Sequence, residues 1–322
     1  MFDDTAPAGL PAMAAAVVAG LTGSIVRESE RIHRGMMTFK CRVRTGSGDE
    51  LMVRFYPATR SALVHQEPDL LARCRQAGLP VPVVIGDSRT GPPAPLAYVV
   101  YRRIAGETLT DRLPGLDGTQ RARLAADLAM HLHRLKDVVF DGAGDLLSGS
   151  TGRDITWTQF VDRSLREGLE AIRRHGLLED SLASALERVV RAGWPAHALV
   201  ATRLVWGDIN FENILVTDEA TVAGLVDFEG CLSGDPLATL GYLGAVHGTD
   251  PFFGLLIRAW SMDRYPQDDV CIAWYALVRA LRLARYAHLP LPTGRPRDPL
   301  IQIVPGIVPA ISTLDAAGRP TL

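Results

Sequence analysis

The chain has 322 residues, of which 47% are hydrophobic, and a formal net charge of −2. This length and hydrophobic content suffice for a large core divided between two lobes, and the near-zero charge gives no sign of nucleic-acid binding. The four cysteines form no C-x-x-C pair, so neither a zinc site nor a disulfide framework is indicated. The N-terminal stretch carries acids and a short apolar run, which predicts neither a secretory signal nor a membrane span. We therefore expect a cytoplasmic protein without a membrane partner.

The first hundred residues carry the signals of one short helix followed by several strands. The helix is expected at 10–18, and the strands at 24–33, 37–45, 50–56, 83–85 and 96–101. Period-two alternation in the third strand places Met52, Arg54 and Tyr56 on one face. Glu67 shares a helical stripe with apolar residues, and its carboxylate needs a charge partner there. Pro68 belongs in the first turn of a helix, so we expect Glu67 at the helix start.

The second part of the chain is mainly helical in its periodicity. Helices are expected at 117–137, 157–175, 180–193 and 271–287, with a glycine-rich loop at 141–153. In the last helix Tyr275, Arg279, Arg282 and Tyr286 share one face, opposite an apolar face that predicts core. The sequence leaves open whether the Tyr/Arg face is solvated surface or part of a ligand site.

The stretch from Trp206 to Asp227 carries the most chemistry. Asp208 and Asn213 precede two short apolar runs joined by a polar turn, which predicts a β-hairpin that ends at Asp227. These three side chains can therefore converge. Two carboxylates and a carboxamide suit a hard cation such as Mg²⁺, with one acid left to orient a hydroxyl. The alternative is that Asp208 and Asn213 are ordinary turn or capping residues.

The same stretch resembles the catalytic and metal-binding loops of the aminoglycoside phosphotransferase family, which includes choline kinase-like small-molecule kinases with a protein-kinase-like fold. The family pattern is H-G-D-x-x-x-x-N, then a hairpin and D-F, then G-D-P-x-x-D-L. The chain has Trp206-Gly207-Asp208 with Asn213, then Asp227-Phe228, then Gly234-Asp235-Pro236. It departs from the pattern at Trp206, which replaces the histidine, and at Thr239, which replaces the second aspartate of the later motif.

The resemblance implies a bilobal α+β fold with a nucleotide-binding lobe at 1–102 and a catalytic, mainly helical lobe at 103–322. It implies that Asp208 is the base and that Asn213 and Asp227 hold Mg²⁺, with ATP or GTP as the co-substrate. The turn at Gly35 would cover the phosphates, although an ordinary hairpin turn is the alternative.

The remaining nucleotide contacts implied by the resemblance lie in the third strand, the next helix and the hinge. The strand at 50–56 contains no lysine, so Arg54 is the candidate for gripping the phosphates and Glu67 for pairing with it. The alternative for Arg54 is a solvent-facing strand residue. The backbone of Arg102, Arg103 and Ile104 would hold the purine.

Tyr101 ends the strand that enters this hinge. In some family members an aromatic residue near this point disfavours ATP relative to GTP, so Tyr101 is a candidate for crowding the purine pocket. The alternative is a core tyrosine whose hydroxyl is satisfied nearby.

The resemblance implies a hydroxylated small molecule as acceptor. Glu229, Tyr275, Arg279 and Arg282 are the candidates for contacting it. Acids and arginines balance between Glu229 and the C-terminus, which favours an acceptor with few positive charges. Antibiotic inactivation or self-protection is the function predicted first. A metabolite kinase acting on choline, homoserine or a sugar and a non-catalytic nucleotide-binding pseudokinase are the alternatives. Monomer and dimer both stay open.

Overall fold

The computed structural model describes residues 7, 9–33, 37–146, 150–154, 156–192, 202–260, 267–287, 307–308 and 310–312. Within these residues the chain forms an antiparallel sheet lobe followed by a larger helical lobe, so the expected bilobal α+β fold is confirmed. No helix among them is both long and apolar enough to cross a membrane.

The N-terminal lobe is a five-stranded antiparallel sheet with the order β1-β2-β3-β5-β4. Its strands are β1 (Val26–Ile32), β2 (Phe39–Thr45), β3 (Glu50–Tyr56), β4 (Val84–Asp87) and β5 (Ala97–Arg102). Helix α1 (Leu10–Thr22) covers one face of the sheet and packs on Val53 and Phe55 of β3. The opposite face carries Arg54 and Tyr56, as the alternation predicted, and looks towards the second lobe.

Helix α2 (Glu67–Gln76) lies beside that second face. It begins at Glu67 with Pro68 in its first turn, which confirms the predicted helix start. Helix α1 runs four residues beyond its predicted end at 18, to Thr22, and stops at Gly23, whose φ of 67° is the left-handed geometry of a helix end.

The second lobe is built from six longer helices and short strands within the described residues. The helices are α3 (Leu109–Arg112), α4 (Gly118–His133), α5 (Trp157–His175), α6 (Asp180–Ala192), α7 (Leu237–His247), α8 (Pro251–Trp260) and α9 (Gln267–Ala284), of which α3 is a single turn. Helix α9 packs against α5 and α7 and contributes a nearly continuous run of buried side chains, from Cys271 to Leu281, to the core of the lobe. Helix α4 ends at His133 instead of 137, because the chain tightens there into a 3₁₀ turn.

The short strands of this lobe frame the candidate site. They are β6 (Glu107–Thr108), β7 (Ala143–Leu146), β8 (Gly152–Asp154), β9 (Arg203–Val205), β10 (Ile214–Val216), β11 (Val222–Leu225) and β12 (Leu232–Gly234). β10 and β11 form the predicted hairpin, with Ile214 opposite Leu225. The expectation of a simple loop at 141–153 is wrong, because β7 pairs with both β8 and β12. The division of the chain at residues 102 and 103 stays a prediction.

Candidate active site

Asp208 and Asn213, the residues of the predicted catalytic loop, lie between β9 and β10. Asn213 donates its side-chain N–H to the backbone carbonyl of Asp208 at 2.9 Å, and Asn210 donates to the same carbonyl at 3.0 Å. The backbone N–H of Val226 donates to the Asn213 carbonyl at 3.0 Å, which brings the residue before Asp227 against the same loop. Capping by Asn213 therefore accounts for one of its polar atoms and leaves its side-chain oxygen available.

The two departures from the family pattern contact each other. The backbone N–H of Trp206 donates to the Thr239 hydroxyl at 3.1 Å, and the Trp206 indole N–H donates to the Asp227 carbonyl at 3.3 Å. The indole also stacks on Phe228, with ring centroids 5.2 Å apart. Trp206 and Thr239 thus support the loop from within the core. They hold Asp208 and Asp227 in register without contributing a charge.

Gly207 permits the close approach of the two acidic loops. A Cβ atom at this position would lie 1.9 Å from the carbonyl oxygen of Gly230, far inside van der Waals contact. Only glycine leaves room for the chain segment that follows Asp227 to pass the segment that carries Asp208.

Asp227 receives two cations. Its carboxylate lies 3.0 Å from the Lys40 ammonium and 3.1 Å from the Arg54 guanidinium. Its backbone is left-handed, with φ 68° and ψ 63°, a geometry that costs a non-glycine residue of order 1 kcal/mol or more and that clusters at functional sites. Burial opposes the negative charge, but Arg54 and Lys40 outweigh it and hold the pKa of Asp227 well below its usual value. The carboxylate is therefore ionised throughout the physiological range.

Arg54 and Glu67 form the expected ion pair, at 3.2 Å. Both side chains are buried, so the alternative of a solvent-facing Arg54 is wrong. The Tyr56 hydroxyl donates to the Glu67 carboxylate and lies 3.3 Å from the Tyr101 hydroxyl. Burial raises the pKa of Tyr56 and of Tyr101, so both phenols stay protonated.

The contacts of Tyr101 are those expected of a core tyrosine whose hydroxyl has a partner nearby. Its ring lies 5.9 Å from the Arg54 guanidinium, and its hydroxyl is satisfied by Tyr56. Whether Tyr101 also selects between ATP and GTP stays a prediction.

Two backbone N–H groups of the predicted hinge segment are hydrogen-bonded to residues of the sheet lobe. The backbone N–H of Arg102 donates to the Val83 carbonyl at 2.8 Å, and that of Arg103 donates to the Glu50 carbonyl at 2.9 Å. These two N–H groups are therefore bonded within the sheet lobe and are not free to bind the purine, and the role of the other backbone groups of 102–104 stays a prediction. Ile104 stays the candidate donor. Gly35, the candidate for covering the phosphates, lies outside the described residues.

Arg279 on helix α9 contacts Asp208 directly. The Arg279 guanidinium lies 3.2 Å from the Asp208 carboxylate and donates to the Gly207 carbonyl. Protein atoms crowd the Asp208 carboxylate and raise its pKa, while Arg279 opposes that shift. Because 48% of the Asp208 side chain still reaches solvent, the shift is limited and the carboxylate is open to a ligand.

The other residues of the predicted Tyr/Arg face have different environments. Arg282 pairs with Asp145 on β7 at 2.9 Å. Tyr275 is fully buried, where its hydroxyl donates to Asp235 at 2.5 Å and accepts from the Trp157 indole at 3.0 Å. The expectation that Tyr275 contacts the acceptor is therefore wrong, because no part of it is accessible. The solvated-surface alternative is also wrong for Tyr275 and Arg279, whereas Tyr286 is exposed.

Glu229 lies on the rim of a cavity of about 200 Å³ between α2, β7 and the chain after Asp227. Its carboxylate is 3.4 Å from Arg60 and 3.7 Å from Arg54. Burial, with Arg54 opposing it and Asp227 adding to it, raises the pKa of Glu229 to about 7. Glu67, Asp145 and Arg282 line the same cavity, which therefore presents both signs of charge.

Comparison with known proteins decides the family. A family profile described as the phosphotransferase enzyme family matches residues 30–295, which is most of the chain and includes both lobes. The chain belongs to this family. The predicted family and the predicted phosphotransferase activity are thereby confirmed. No curated protein is similar enough to the chain to count as a match.

Solved structures of phosphotransferases share the fold at low sequence identity. A thermostable mutant of aminoglycoside phosphotransferase APH(4)-Ia, in a ternary complex with AMP-PNP and hygromycin B, is 16% identical over 98% of this chain and 100% of its own, with a TM-score of 0.71. An aminoglycoside 2'-phosphotransferase-IIIa mutant in complex with GDP is 16% identical over 95% of this chain and 96% of its own, with a TM-score of 0.65. A provisionally named fructosamine-3-kinase from Thermobifida fusca YX-ER1 is 17% identical over 94% of this chain and 98% of its own, with a TM-score of 0.60. At these identities the likeness shows the shared fold.

Lys40 is the site residue that sequence reasoning missed. The resemblance directs attention to β3, which has Arg54 and no lysine, whereas Lys40 lies in β2. In the structure the two residues are direct cross-strand neighbours. The available signal was the scarcity of lysine, since the chain contains only Lys40 and Lys136.

Proposed function

We propose that this phosphotransferase moves the γ-phosphoryl group of ATP or GTP to a hydroxyl of a small molecule. The observation that carries the proposal is that a half-exposed Asp208 carboxylate lies beside Asn213 and interacts electrostatically with Asp227 and Lys40. Phosphoryl transfer needs few covalent steps from the protein. It needs positioning and charge stabilisation, which are what these groups can supply.

Asp208 acts on the acceptor in this proposal. An ionised carboxylate at this position accepts a hydrogen bond from the acceptor hydroxyl and fixes the direction of attack. It takes the proton as the new P–O bond forms and the bond from the γ-phosphorus to the bridging oxygen breaks, which releases ADP or GDP. Arg279 keeps Asp208 in place through paired contacts to its carboxylate and to the preceding carbonyl.

The residues present fit a magnesium ion. Asp227 offers an ionised carboxylate, and Asn213 a side-chain oxygen, since its N–H is committed to the Asp208 carbonyl. Mg²⁺ uses one or two protein oxygens and completes its shell with water and substrate phosphates, so it needs no larger cage. When bound, Mg²⁺ neutralises charge on the phosphates.

We favour an antibiotic as the acceptor, with inactivation of that antibiotic or self-protection as the biological role. This assignment is supported by the similarity in fold to an aminoglycoside phosphotransferase whose structure contains hygromycin B. The similarity to a provisionally named fructosamine-3-kinase keeps a metabolite kinase as the alternative. A pseudokinase is disfavoured because Asp208, Asn213 and Asp227 are all in place. Cytoplasmic location stays a prediction.

The test is a screen of hydroxylated antibiotics and metabolites for acceptor-dependent consumption of ATP and GTP. Asp208→Ala is the matched control. It should bind nucleotide as the wild type does and turn over about 10²–10⁴-fold more slowly, the typical contribution of a positioned base. Equal turnover in a folded variant with normal substrate affinity would show that Asp208 is not the base. If the protein binds nucleotide but phosphorylates none of the hydroxylated acceptors, the result would favour the pseudokinase alternative over the proposed kinase activity.

A further inference from the structure

Two cations on neighbouring strands reach the same carboxylate. Lys40 on β2 is the direct cross-strand partner of Arg54 on β3, and directly opposed residues of an antiparallel pair project from the same face of a sheet. Both side chains extend from the face that looks towards the second lobe, and both end on Asp227. The chain therefore has two candidates for the cation that meets the phosphates.

Arg54 is already committed inside the protein. Its side chain is only 8% exposed, and its guanidinium lies within 3.2 Å of Glu67, 3.1 Å of Asp227 and 3.7 Å of Glu229. Glu67 is itself buried at the start of α2. If Arg54 turned to a phosphate, Glu67 would lose its charge partner in a buried site, and uncompensated buried charges are strongly unfavourable. Arg54 is thus suited to joining α2 to Asp227.

Lys40, unlike Arg54, is partly exposed and has donors left for a ligand. Its side chain is 19% exposed, and within the described residues Asp227 is the one carboxylate at ion-pair distance from it. An ammonium group has three N–H donors, so this contact leaves two for a ligand. Lys40 lies near the start of β2, at its second residue. A compact, flexible point charge is well suited to phosphate oxygens.

We propose that Lys40, and not Arg54, is the cation that binds the nucleotide phosphates, and that Arg54 is a positioning residue that holds Glu67 and Asp227. This inference rests on the proposed function, because it presumes that a nucleotide is the phosphoryl donor. It also explains how a chain without lysine in β3 keeps a lysine in its active site. The lysine lies on β2 and not on β3, and its side chain is on the same face of the sheet as that of Arg54.

The first test separates phosphate binding from nucleoside binding. Binding of ADP and of adenosine is measured by calorimetry in the presence of EDTA, for the wild type, Lys40→Met and Lys136→Met. Lys40→Met should bind ADP at least about tenfold more weakly and adenosine unchanged, because only ADP carries phosphates. Lys136 lies beside Trp260, 5.1 Å from its ring, and its variant should match the wild type with both ligands. Unchanged ADP affinity in folded Lys40→Met would overturn the inference.

The second test separates the two cations. Arg54→Lys should lower the unfolding temperature clearly, because its buried contacts are disturbed, and should change ADP affinity less than about threefold. Lys40→Met should do the reverse, with a small change in unfolding temperature. A greater loss of ADP affinity in Arg54→Lys than in Lys40→Met would assign the phosphates to Arg54.

The third test needs no variant. An acyl phosphate of ADP or ATP reacts with a nearby lysine: the amine attacks the acyl carbonyl, an amide forms, the nucleotide leaves with its phosphate, and the proton passes to solvent. Mass spectrometry should find the acyl group on Lys40, and excess ADP should prevent its attachment there. Acylation of Lys136 alone, or acylation of Lys40 that ADP does not reduce, would refute the inference. A wild-type protein that bound neither ADP nor GDP would refute the proposed function, and this inference with it.

Discussion

Replacing Arg279 by glutamine should shift the pH dependence of turnover. Arg279 lies 3.2 Å from the Asp208 carboxylate and opposes the rise in its pKa that the surrounding protein causes. Without Arg279 the pKa of Asp208 rises further, so a higher pH is needed to ionise the base. The acidic limb of kcat/KM should therefore move to higher pH, and activity should recover at the alkaline end.

The size of the shift follows from the distance and the exposure. Two unit charges 3.2 Å apart interact by about 5 kcal/mol at an effective dielectric constant of about 20 and by about 1 kcal/mol in bulk water. Because nearly half of the Asp208 side chain reaches solvent, the interaction lies towards the water limit. A loss of about 1–2 kcal/mol would move the acidic limb of the pH profile by about one pH unit.

The assay is kcat/KM for the acceptor between about pH 5 and 9, measured for the wild type, Arg279→Gln and Arg285→Gln. Arg285 follows the end of α9 and pairs with Glu167 at 2.9 Å, so its variant removes a nearby charge that does not touch Asp208. Its acidic limb should stay within a few tenths of a unit of the wild type. If Arg279→Gln lowers kcat/KM equally at every pH and leaves the limb in place, the electrostatic reasoning is wrong.

Three further predictions follow from the charges of the site. Asp227→Asn should weaken nucleotide binding in Mg²⁺ but hardly in EDTA, because it removes the candidate metal carboxylate; calorimetry with and without Mg²⁺ checks this, and an equal loss in both would argue against a metal role. The folded-state pKa of Glu229, raised from 4.5 to about 7, means that stability is lost as the pH rises through that range, so Glu229→Gln should raise the unfolding temperature at pH 8 and leave it nearly unchanged at pH 5. Neutral or weakly charged acceptors should be better substrates than a polycationic aminoglycoside, because Arg279 lies beside Asp208; efficient, salt-sensitive phosphorylation of the polycation alone would contradict this.

The sequence determined the local parts of this protein. Alternation and turn residues predict the strand at 50–56 and a hairpin before Asp227, and the structure has both, with the second strand of the hairpin ending at Leu225. Pro68 predicts a helix start at Glu67 because proline belongs in the first turn of a helix, and α2 begins there. Such features depend on residues within a few positions of one another, so a short stretch contains their physical causes.

Only the tertiary structure decided which distant side chains share the site. Lys40 meets Asp227 across 187 positions of sequence, and Arg279 meets Asp208 across 71. Alternation places Lys40 on a face of its strand, but it does not state which residue lies opposite, and a register shift of one position would turn the side chain away. The face of α9 that carries Tyr275 and Arg279 is polar in sequence, yet it is buried, and Asp235 and Asp208 on other elements pair with the Tyr275 hydroxyl and the Arg279 guanidinium. The satisfaction of a buried polar group depends on its partner, and the fold alone brings the partner to it.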